Sequence, residues 1–385
     1  MRILYVCINK LITRPSAPRV HVLSLTDELA KLGHQVLLLH PKGEKFEDNK
    51  RNKNIRKLPL PHIFFNDKFL LNRIMVNLIY LFIVVLFQPD FVYERETGYS
   101  SIVAISNFLK IPRLIELNGW TEIKGDYYKQ KEKTITGQYR KNFKGAVGVI
   151  VRAPGVGDKV RKHLNIASNK IFYIPNGVDI EKFTPPPINL LSSQRKIVVG
   201  YVGGFTSNQD VNTIINAIEI LRNNGELLEL RMIGDYGSIY KDLIKKIDSS
   251  NLTNIVKLIG PLPHSHIPEQ LWGMDICVAA YKKEFIETFG RLEGAMKIWE
   301  YWASQKPVIA TDVKDSSFFA SPEKLYLAVE PENPVAMANA IKFLINHPNI
   351  RRDIGRIGYE YVKKHYSWIK VAKETESVMI RIKKN

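Results

Sequence analysis

Short runs of β-branched apolar residues alternate along this chain with longer amphipathic segments. In the first half, the runs that predict strands cover residues 3–8, 35–39, 91–93, 113–116, 147–151 and 171–174. A second series covers residues 197–202, 228–233, 256–258, 276–279, 307–310 and 325–329. Strands that alternate with helices in this way favour parallel sheets joined by crossover helices. Each half is therefore predicted to be an α/β domain with its own parallel sheet.

The boundary between the halves is predicted at the proline run 185–187, a stiff segment that polar residues follow. The next apolar run begins at Ile197. Near the other end, Tyr366-Ser367-Trp368 offers a cap for a last helix. These signals predict domains at 1–187 and 188–365, with a C-terminal helix at 366–385.

One segment departs from the alternating pattern. Residues 69–87 are almost continuously apolar, and their cleanest part is too short to span a hydrocarbon core of roughly 30 Å. Two interpretations remain open. The segment is either a helix packed on the first sheet or an interfacial helix that touches a membrane beside the basic run 50–57.

The composition fits a large two-domain enzyme. At 385 residues and 45% hydrophobic content the chain can bury two ordinary cores. Cys7 and Cys277 each stand in an apolar run, which predicts buried thiols of a cytoplasmic protein. Met1 leads directly into a strand pattern, so we expect no signal peptide.

The formal net charge of +18 predicts anionic partners. Nucleotide sugars, lipid pyrophosphates, anionic membranes and nucleic acids all qualify. Nucleic acid is the least favoured, because the basic residues are dispersed and no RNA-recognition string, zinc-finger spacing or basic heptad region is present.

The segment around residues 293–303 predicts a short helix with charged residues beside aromatic ones. A helix that only packs on a sheet does not need such charges. Glu293, Lys297 and Glu300 stand at helical spacing on one face, beside Trp299 and Trp302. Such a row is either a solvated, salt-bridged face or part of a polar ligand site.

Together with two other strings, this segment resembles the retaining family 4 glycosyltransferases of the GT-B fold. The other strings are Ile174-Pro175-Asn176-Gly177-Val178-Asp179 and Gly200-Tyr201-Val202-Gly203-Gly204. The resemblance covers nearly the whole chain. It implies two Rossmann-like domains facing a cleft, with the last helix crossing back to the first domain. It also implies a nucleotide-sugar donor bound without a metal ion or other cofactor.

The resemblance also implies roles in donor binding, mostly for residues of the second half. Backbone amides and small residues would hold the donor diphosphate, at Gly203, Gly204 and Gly294. Lys297 would add a positive charge, Asn176 a donor contact, and Glu300 would accept hydrogen bonds from the ribose hydroxyls. A second glutamate normally addresses the donor sugar, but Leu292 occupies its position; Glu287 and Glu293 both remain candidates.

Many relatives carry two cations after the Gly203-Gly204 turn, whereas this chain continues with Phe205-Thr206-Ser207. Arg291, Lys282 and Lys283 are the nearby cations that could compensate for this loss.

In the first half, Asn118 stands where many relatives have a histidine that faces the donor sugar, and we expect it to position that sugar. Arg14, Arg19 and Glu116 are predicted on the acceptor side. His21 is expected to be a packing or capping residue. His264 and His266 have ligand-like spacing, but no carboxylate or cysteine cluster accompanies them, so no metal site is predicted.

The leading hypothesis is a peripheral membrane glycosyltransferase that acts on a lipid-linked or polysaccharide acceptor. The alternative from another class is a non-catalytic GT-B scaffold subunit of a glycan-assembly complex. A nucleotide-sugar epimerase or sugar phosphorylase is less favoured.

Overall fold

The computed structural model describes residues 1–7, 16–42, 52–60, 70–95, 100–118, 137, 139–186, 196–206, 208–284, 286, 296–311 and 325–384. The chain forms two compact units. Unit 1 consists of Met1–Gly177 together with Trp368–Asn385. Unit 2 consists of Val178–Ser367.

The described part of unit 1 contains a seven-stranded sheet in the order β3-β2-β1-β4-β5-β6-β7. Its strands are β1 Arg2–Cys7, β2 Gln35–Pro41, β3 Ile55–Leu60, β4 Phe91–Arg95, β5 Arg113–Leu117, β6 Gly148–Val151 and β7 Ile171–Tyr173. Every neighbouring pair is parallel. Its described helices before unit 2 in the chain are α1 Ala17–Lys31, α2 Leu70–Phe87, α3 Ser100–Phe108 and α4 Pro154–Leu164, and one more helix follows unit 2.

The order of these strands reverses between β1 and β4, because the chain winds outward from β1 in one direction and returns to place β4 on its other side. In open parallel sheets, ligands bind at the carboxyl ends of the strands beside such a reversal. The carboxyl ends of β1 and β4 are therefore where a ligand of unit 1 is expected.

The described part of unit 2 repeats this plan with six parallel strands in the order β10-β9-β8-β11-β12-β13. The strands are β8 Ile197–Val202, β9 Leu228–Ile233, β10 Val256–Gly260, β11 Ile276–Ala279, β12 Val308–Thr311 and β13 Leu327–Val329. The helices are α5 Ile180–Phe183, α6 Val211–Asn223, α7 Tyr240–Ser249, α8 Ile267–Trp272, α9 Met296–Ala303, α10 Pro334–Asn346 and α11 Pro348–His365. The order reverses between β8 and β11.

Alternate residues of β8 show why this sheet is buried on both faces. Val199 and Tyr201 join one hydrophobic cluster, and Val198 and Val202 join the other. A continuous apolar run is the sequence that such a strand requires. The α/β prediction for both halves is confirmed.

One strand of unit 1 was missed by the sequence pattern. Strand β3 pairs with β2 at the edge of the sheet, and its residues are only partly buried. Arg56, Lys57 and Pro59 interrupt its apolar positions. An edge strand tolerates charges and proline, so its pattern resembles that of a loop.

The division between the units lies before the predicted boundary at 187. Val178 donates its backbone N–H to the carbonyl of Tyr366 at 2.8 Å, and it pairs with Ser367 in a parallel bridge. Phe183 is fully buried in a hydrophobic cluster of unit 2. The segment between Gly177 and the proline run therefore belongs to unit 2, because its side chains complete that core.

The last helix, α12 Trp368–Lys384, belongs to unit 1, as the resemblance implies. It packs on α1. Glu376 lies 2.9 Å from His34, and the Lys383 ammonium donates to Asp90 at 2.8 Å. Residue 366, where the helix was predicted to begin, is still part of unit 2.

Helix α2 packs on the sheet of unit 1 through Tyr80, Ile83 and Val84, which join Leu4 and Val92 in one cluster. This agrees with the packed-helix interpretation for one side of the segment. No helix within the described ranges is long and apolar enough to cross a membrane.

Candidate functional site

The turn after β8 lies at the point where the strand order of unit 2 reverses. The N–H of Gly203 donates to the carbonyl of Ile233 at 2.9 Å, and Phe205 donates to Asp235 at 3.0 Å. Gly203 and Gly234 have φ angles of 152° and 150°. A Cβ on Gly234 would stand 1.9 Å from the Gly203 oxygen, so the two loops meet backbone to backbone. Only glycine allows this close approach.

Helix α9 is fixed against this turn by its buried aromatic residues. The Tyr301 hydroxyl accepts from the N–H of Val202 at 2.8 Å and donates to its carbonyl at 3.2 Å. Trp299 stacks on Tyr366 with ring centroids 4.1 Å apart. This packing holds Lys297, one turn earlier in the helix, beside the turn.

Lys297 is a half-buried cation at the glycine turn. Its ammonium donates to Gln209 Oε1 at 2.9 Å and to the Tyr201 hydroxyl at 3.2 Å. It also lies 4.3 Å from the centre of the Tyr201 ring. Burial lowers the pKa of Lys297 to about 7, although the Glu300 carboxylate acts in the opposite direction. The two acceptors of Lys297 among the described residues are neutral, so a bound anion would stabilise its charged form.

Glu300 is 8% exposed, which rules out a freely solvated face for this part of α9. Its Oε1 atom lies 2.8 Å from His264 Nε2. His264 Nδ1 in turn lies 3.4 Å from the Lys182 ammonium. An ammonium can only donate, so the imidazole accepts at Nδ1 and donates from Nε2 to Glu300. The histidine thereby fixes the carboxylate.

The link between His264 and Glu300 was not found from the sequence. His264 begins a 3₁₀ turn before α8 and is separated from Glu300 by 36 residues. No spacing rule joins such positions. The prediction considered His264 only as a metal ligand, and the described residues contain no group of three or more side chains that could hold a metal ion.

The carboxyl edge of the sheet in unit 1 holds a second polar cluster, around Glu116. This carboxylate is fully buried. It accepts from the Tyr93 hydroxyl at 2.6 Å and pairs with Arg152 at 2.5 Å and with Arg95. Burial alone would raise the pKa of Glu116, but the two guanidinium groups hold it well below its usual range. Glu116 therefore stays ionised.

His21 belongs to the same cluster. Burial and the nearby Arg95 lower the pKa of His21 to about 3, so the ring is neutral at physiological pH. Nε2 of the ring lies 2.9 Å from Arg152 and 3.1 Å from the Glu116 carboxylate. Nδ1 lies 2.9 Å from Asn176 Oδ1. His21 is therefore a buried residue, as a packing role requires, and its contacts are polar.

The structure brings together Gly203, Gly204, Lys297 and Glu300 in unit 2. Asn176 belongs to unit 1, where it contacts His21. Asn118 follows β5 directly and is half-buried, and Arg19 is half-buried in the first turn of α1. Five predicted site residues lie outside the described residues: Arg14, Glu287, Arg291, Glu293 and Gly294.

Of the three cations proposed to compensate for the missing ones, Lys282 and Lys283 lie within the described residues. Lys282 follows β11 and donates its backbone N–H to the carbonyl of Asn208 at 3.1 Å. Lys282 and Lys283 are both exposed. Phe205, which stands where relatives carry a cation, is buried and packs edge-on against Tyr201 and Tyr236.

Two family models match the chain. The model described as Glycosyltransferase Family 4 matches residues 19–182, and the one described as Glycosyl transferases group 1 matches residues 196–347. Together they include most of both units.

Similar curated proteins are glycosyltransferases. An uncharacterized one from Methanocaldococcus jannaschii is 26% identical over 69% of this chain and 67% of its own length. The putative teichuronic acid biosynthesis glycosyltransferase TuaH of Bacillus subtilis is 23% identical over 51% of this chain and 50% of its own. The matched parts thus span from half to two thirds of these two relatives.

Solved structures share the whole fold. A glycosyltransferase from Rickettsia africae superposes with a TM-score of 0.79 at 18% identity, covering 100% of this chain and 99% of its own. HepE from Anabaena, in complex with UDP and glucose, superposes with a TM-score of 0.76 at 15% identity, covering 99% and 100%.

Proposed function

Because this chain belongs to the group 1, family 4 glycosyltransferases with the GT-B fold, we propose that it transfers a sugar from a nucleotide-sugar donor to a lipid-linked or polysaccharide acceptor. The transfer proceeds with retention at the anomeric carbon. A cytoplasmic location at the inner face of a membrane suits such an acceptor. The observation that carries the proposal is the half-buried Lys297 ammonium beside the glycine turn, one helical turn from Glu300.

The donor diphosphate binds at the turn after β8. Lys297 supplies a charge there without a metal ion, and burial makes its interaction with an anion stronger than it would be in water. The backbone of Gly203 and Gly204 allows the phosphates to approach closely, because no side chain stands in the way. Lys282, beside the same turn, adds a second cation.

Glu300 selects the nucleoside part of the donor. An ionised carboxylate accepts hydrogen bonds from both ribose hydroxyls, and charge-assisted bonds of this kind are worth about 1.5 to 3 kcal/mol each. His264 holds one carboxylate oxygen by its own hydrogen bond. Residues of unit 2 thus bind both the diphosphate and the ribose hydroxyls of the nucleotide.

Other residues serve the sugar and the acceptor in this proposal. Asn118 and either Glu287 or Glu293 position the donor sugar. Arg14 and Arg19 serve the acceptor side. Glu116 acts there indirectly, because its oxygens already contact Tyr93, Arg95 and Arg152. It therefore positions the guanidinium groups around it.

The proposal is tested by thermal unfolding of the purified chain with uridine, guanosine and adenosine diphosphates. A ligand at about 100 times its dissociation constant adds roughly 2.7 kcal/mol of stability. We expect one base to give the largest shift and Glu300→Ala to remove it. Glu360→Ala changes an exposed glutamate of α11 in the same unit and should keep the shift.

The second candidate function is the non-catalytic scaffold. The buried packing of Phe205 favours it, because an aromatic core residue occupies a position where relatives bind phosphate. A scaffold should show no stabilisation by any nucleoside diphosphate at millimolar concentration. That result would replace the transferase proposal.

A further inference from the structure

Helix α2 of unit 1 is apolar on both of its sides. The side formed by Tyr80, Ile83 and Val84 is buried on the sheet. The opposite side is exposed and consists of Ile74, Met75, Leu78, Leu81, Phe82, Val85 and Leu86. From residue 74 to residue 87 the helix contains no charged side chain. We call these seven exposed side chains the α2 outer face.

The exposure of the α2 outer face is large. Leu78, Phe82 and Leu86 are 60%, 64% and 67% exposed. They recur every four residues, so they form one stripe along the helix. The neighbouring helix α3 contacts α2 and ends at Phe108, which is 85% exposed. A contiguous apolar surface of this kind marks a site that something covers.

The charge of the chain identifies the kind of occupant. Counting Lys and Arg against Asp and Glu, with His neutral, assigns the whole formal net charge of +18 to unit 1 and leaves unit 2 at zero. Arg56 and Lys57 directly precede Leu58, which packs against the cluster that the buried side of α2 joins. Lys110 is exposed and follows Phe108 and Leu109. The α2 outer face is thus presented by a strongly cationic body.

We propose that the α2 outer face docks onto an anionic lipid bilayer. An interfacial helix immerses its apolar side chains at the boundary of headgroups and acyl chains, while nearby cations attract anionic lipids. The buried side of α2 stays on the sheet, so the helix lies along the surface. A second copy of this chain is a less suitable occupant. Two copies of unit 1, each with a formal net charge of +18, would repel each other.

The test measures sedimentation of the full chain with lipid vesicles. One set contains phosphatidylcholine only, and the other contains roughly one third phosphatidylglycerol, an anionic lipid. We expect binding to the anionic vesicles that weakens at high salt, and much weaker binding to the neutral ones. Absence of binding to the anionic vesicles would overturn the proposal.

The double variant Leu78→Ser with Phe82→Ser isolates the α2 outer face. Each side chain contributes roughly tenfold or more to partitioning when it leaves water, so the variant should bind about a hundredfold less tightly. The matched control, Leu227→Ser with Val335→Ser, changes two exposed apolar residues of unit 2 and should bind like the wild type. Equal binding by the α2 variant and the wild type would show that charge alone drives association, and would overturn the assignment of this face.

Two further readouts distinguish membrane docking from donor binding and from self-association. The α2 variant should keep its stabilisation by nucleoside diphosphate, because the donor residues lie in unit 2. The failure of membrane docking and the failure of the proposed transferase function are therefore distinct results. Sedimentation velocity without vesicles should show a monomer; a dimer that the α2 variant dissociates would assign the face to self-association and overturn the proposal.

Discussion

At the scale of single residues, the candidate site depends on a half-buried lysine. Folding moves Lys297 out of water, and its pKa falls from an ordinary 10.5 to about 7. The folded protein therefore binds fewer protons than the unfolded chain between pH 7 and pH 10.5. Over this window stability rises with pH, and below pH 7 the full cost of burying the charge is present.

The variant Lys297→Met removes this cost together with the anion site. We expect it to be more stable than the wild type at pH 6, and the difference should shrink as the pH rises towards 10. Each unit of the pKa shift corresponds to about 1.4 kcal/mol. Urea unfolding at pH 6, 8 and 10 measures the difference. Lys245→Met, at an exposed lysine of α7, is the control; a difference independent of pH would contradict the shifted pKa of Lys297.

His264 gives a second prediction at this scale. Because it positions Glu300, His264→Ala should weaken binding of the preferred nucleoside diphosphate by roughly five- to tenfold, the value of one ordinary hydrogen bond. His264→Gln retains an N–H donor and should restore most of the affinity. Calorimetry with inorganic pyrophosphate, which lacks the ribose, should show little change. An equal loss for both ligands would indicate general damage to the site.

At the scale of elements, the site depends on two loops that meet through glycine. Gly234 has no room for a Cβ, whereas a Cβ on Gly225, which also has a positive φ of 82°, would meet nothing within 4 Å. Alanine at Gly225 therefore reports the cost of a positive φ angle alone, whereas alanine at Gly234 adds a steric clash with Gly203.

We expect Gly225→Ala to cost about 1 kcal/mol for its left-handed backbone. Gly234→Ala should cost clearly more, because the loop after β8 must move as well, and it should abolish stabilisation by nucleoside diphosphate. Urea unfolding measures the first effect and thermal unfolding with ligand the second. Similar costs for the two variants would contradict the close approach of Gly234 to Gly203.

The elements also show what the sequence could predict. Strands β8 and β11 were found because both of their faces are buried and their sequence is almost wholly apolar. Strand β3 was missed because an edge strand tolerates a charged residue such as Arg56 and a proline such as Pro59, so its sequence lacks the apolar pattern of a buried strand. The sequence predicted that Lys297 and Glu300 share one helix, and both lie in α9. His264 reaches Glu300 only through folding, so no local spacing predicts that contact. Likewise, no local pattern predicts that Arg152 is buried against Glu116.

At the scale of the whole molecule, the two units can be perturbed separately. Met379 of α12 is fully buried in unit 1, although it lies beyond unit 2 in the chain. Met379→Ala should destabilise unit 1 by about 2 to 5 kcal/mol. Scanning calorimetry should show a lower transition for unit 1 and an unchanged shift of unit 2 with nucleoside diphosphate. Ser377→Ala, at an exposed position of α12, should change neither.

The bridge between Val178 and Ser367 has a consequence for biosynthesis. The chain enters and leaves unit 2 at neighbouring residues, so unit 2 is inserted into the sequence of unit 1. During translation, all of unit 2 is synthesised before α12. Domains fold as units, so the continuous segment of unit 2 can begin to fold as it emerges, whereas unit 1 cannot complete its packing until α12 follows. Unit 1 is thus the unit whose sequence is completed last.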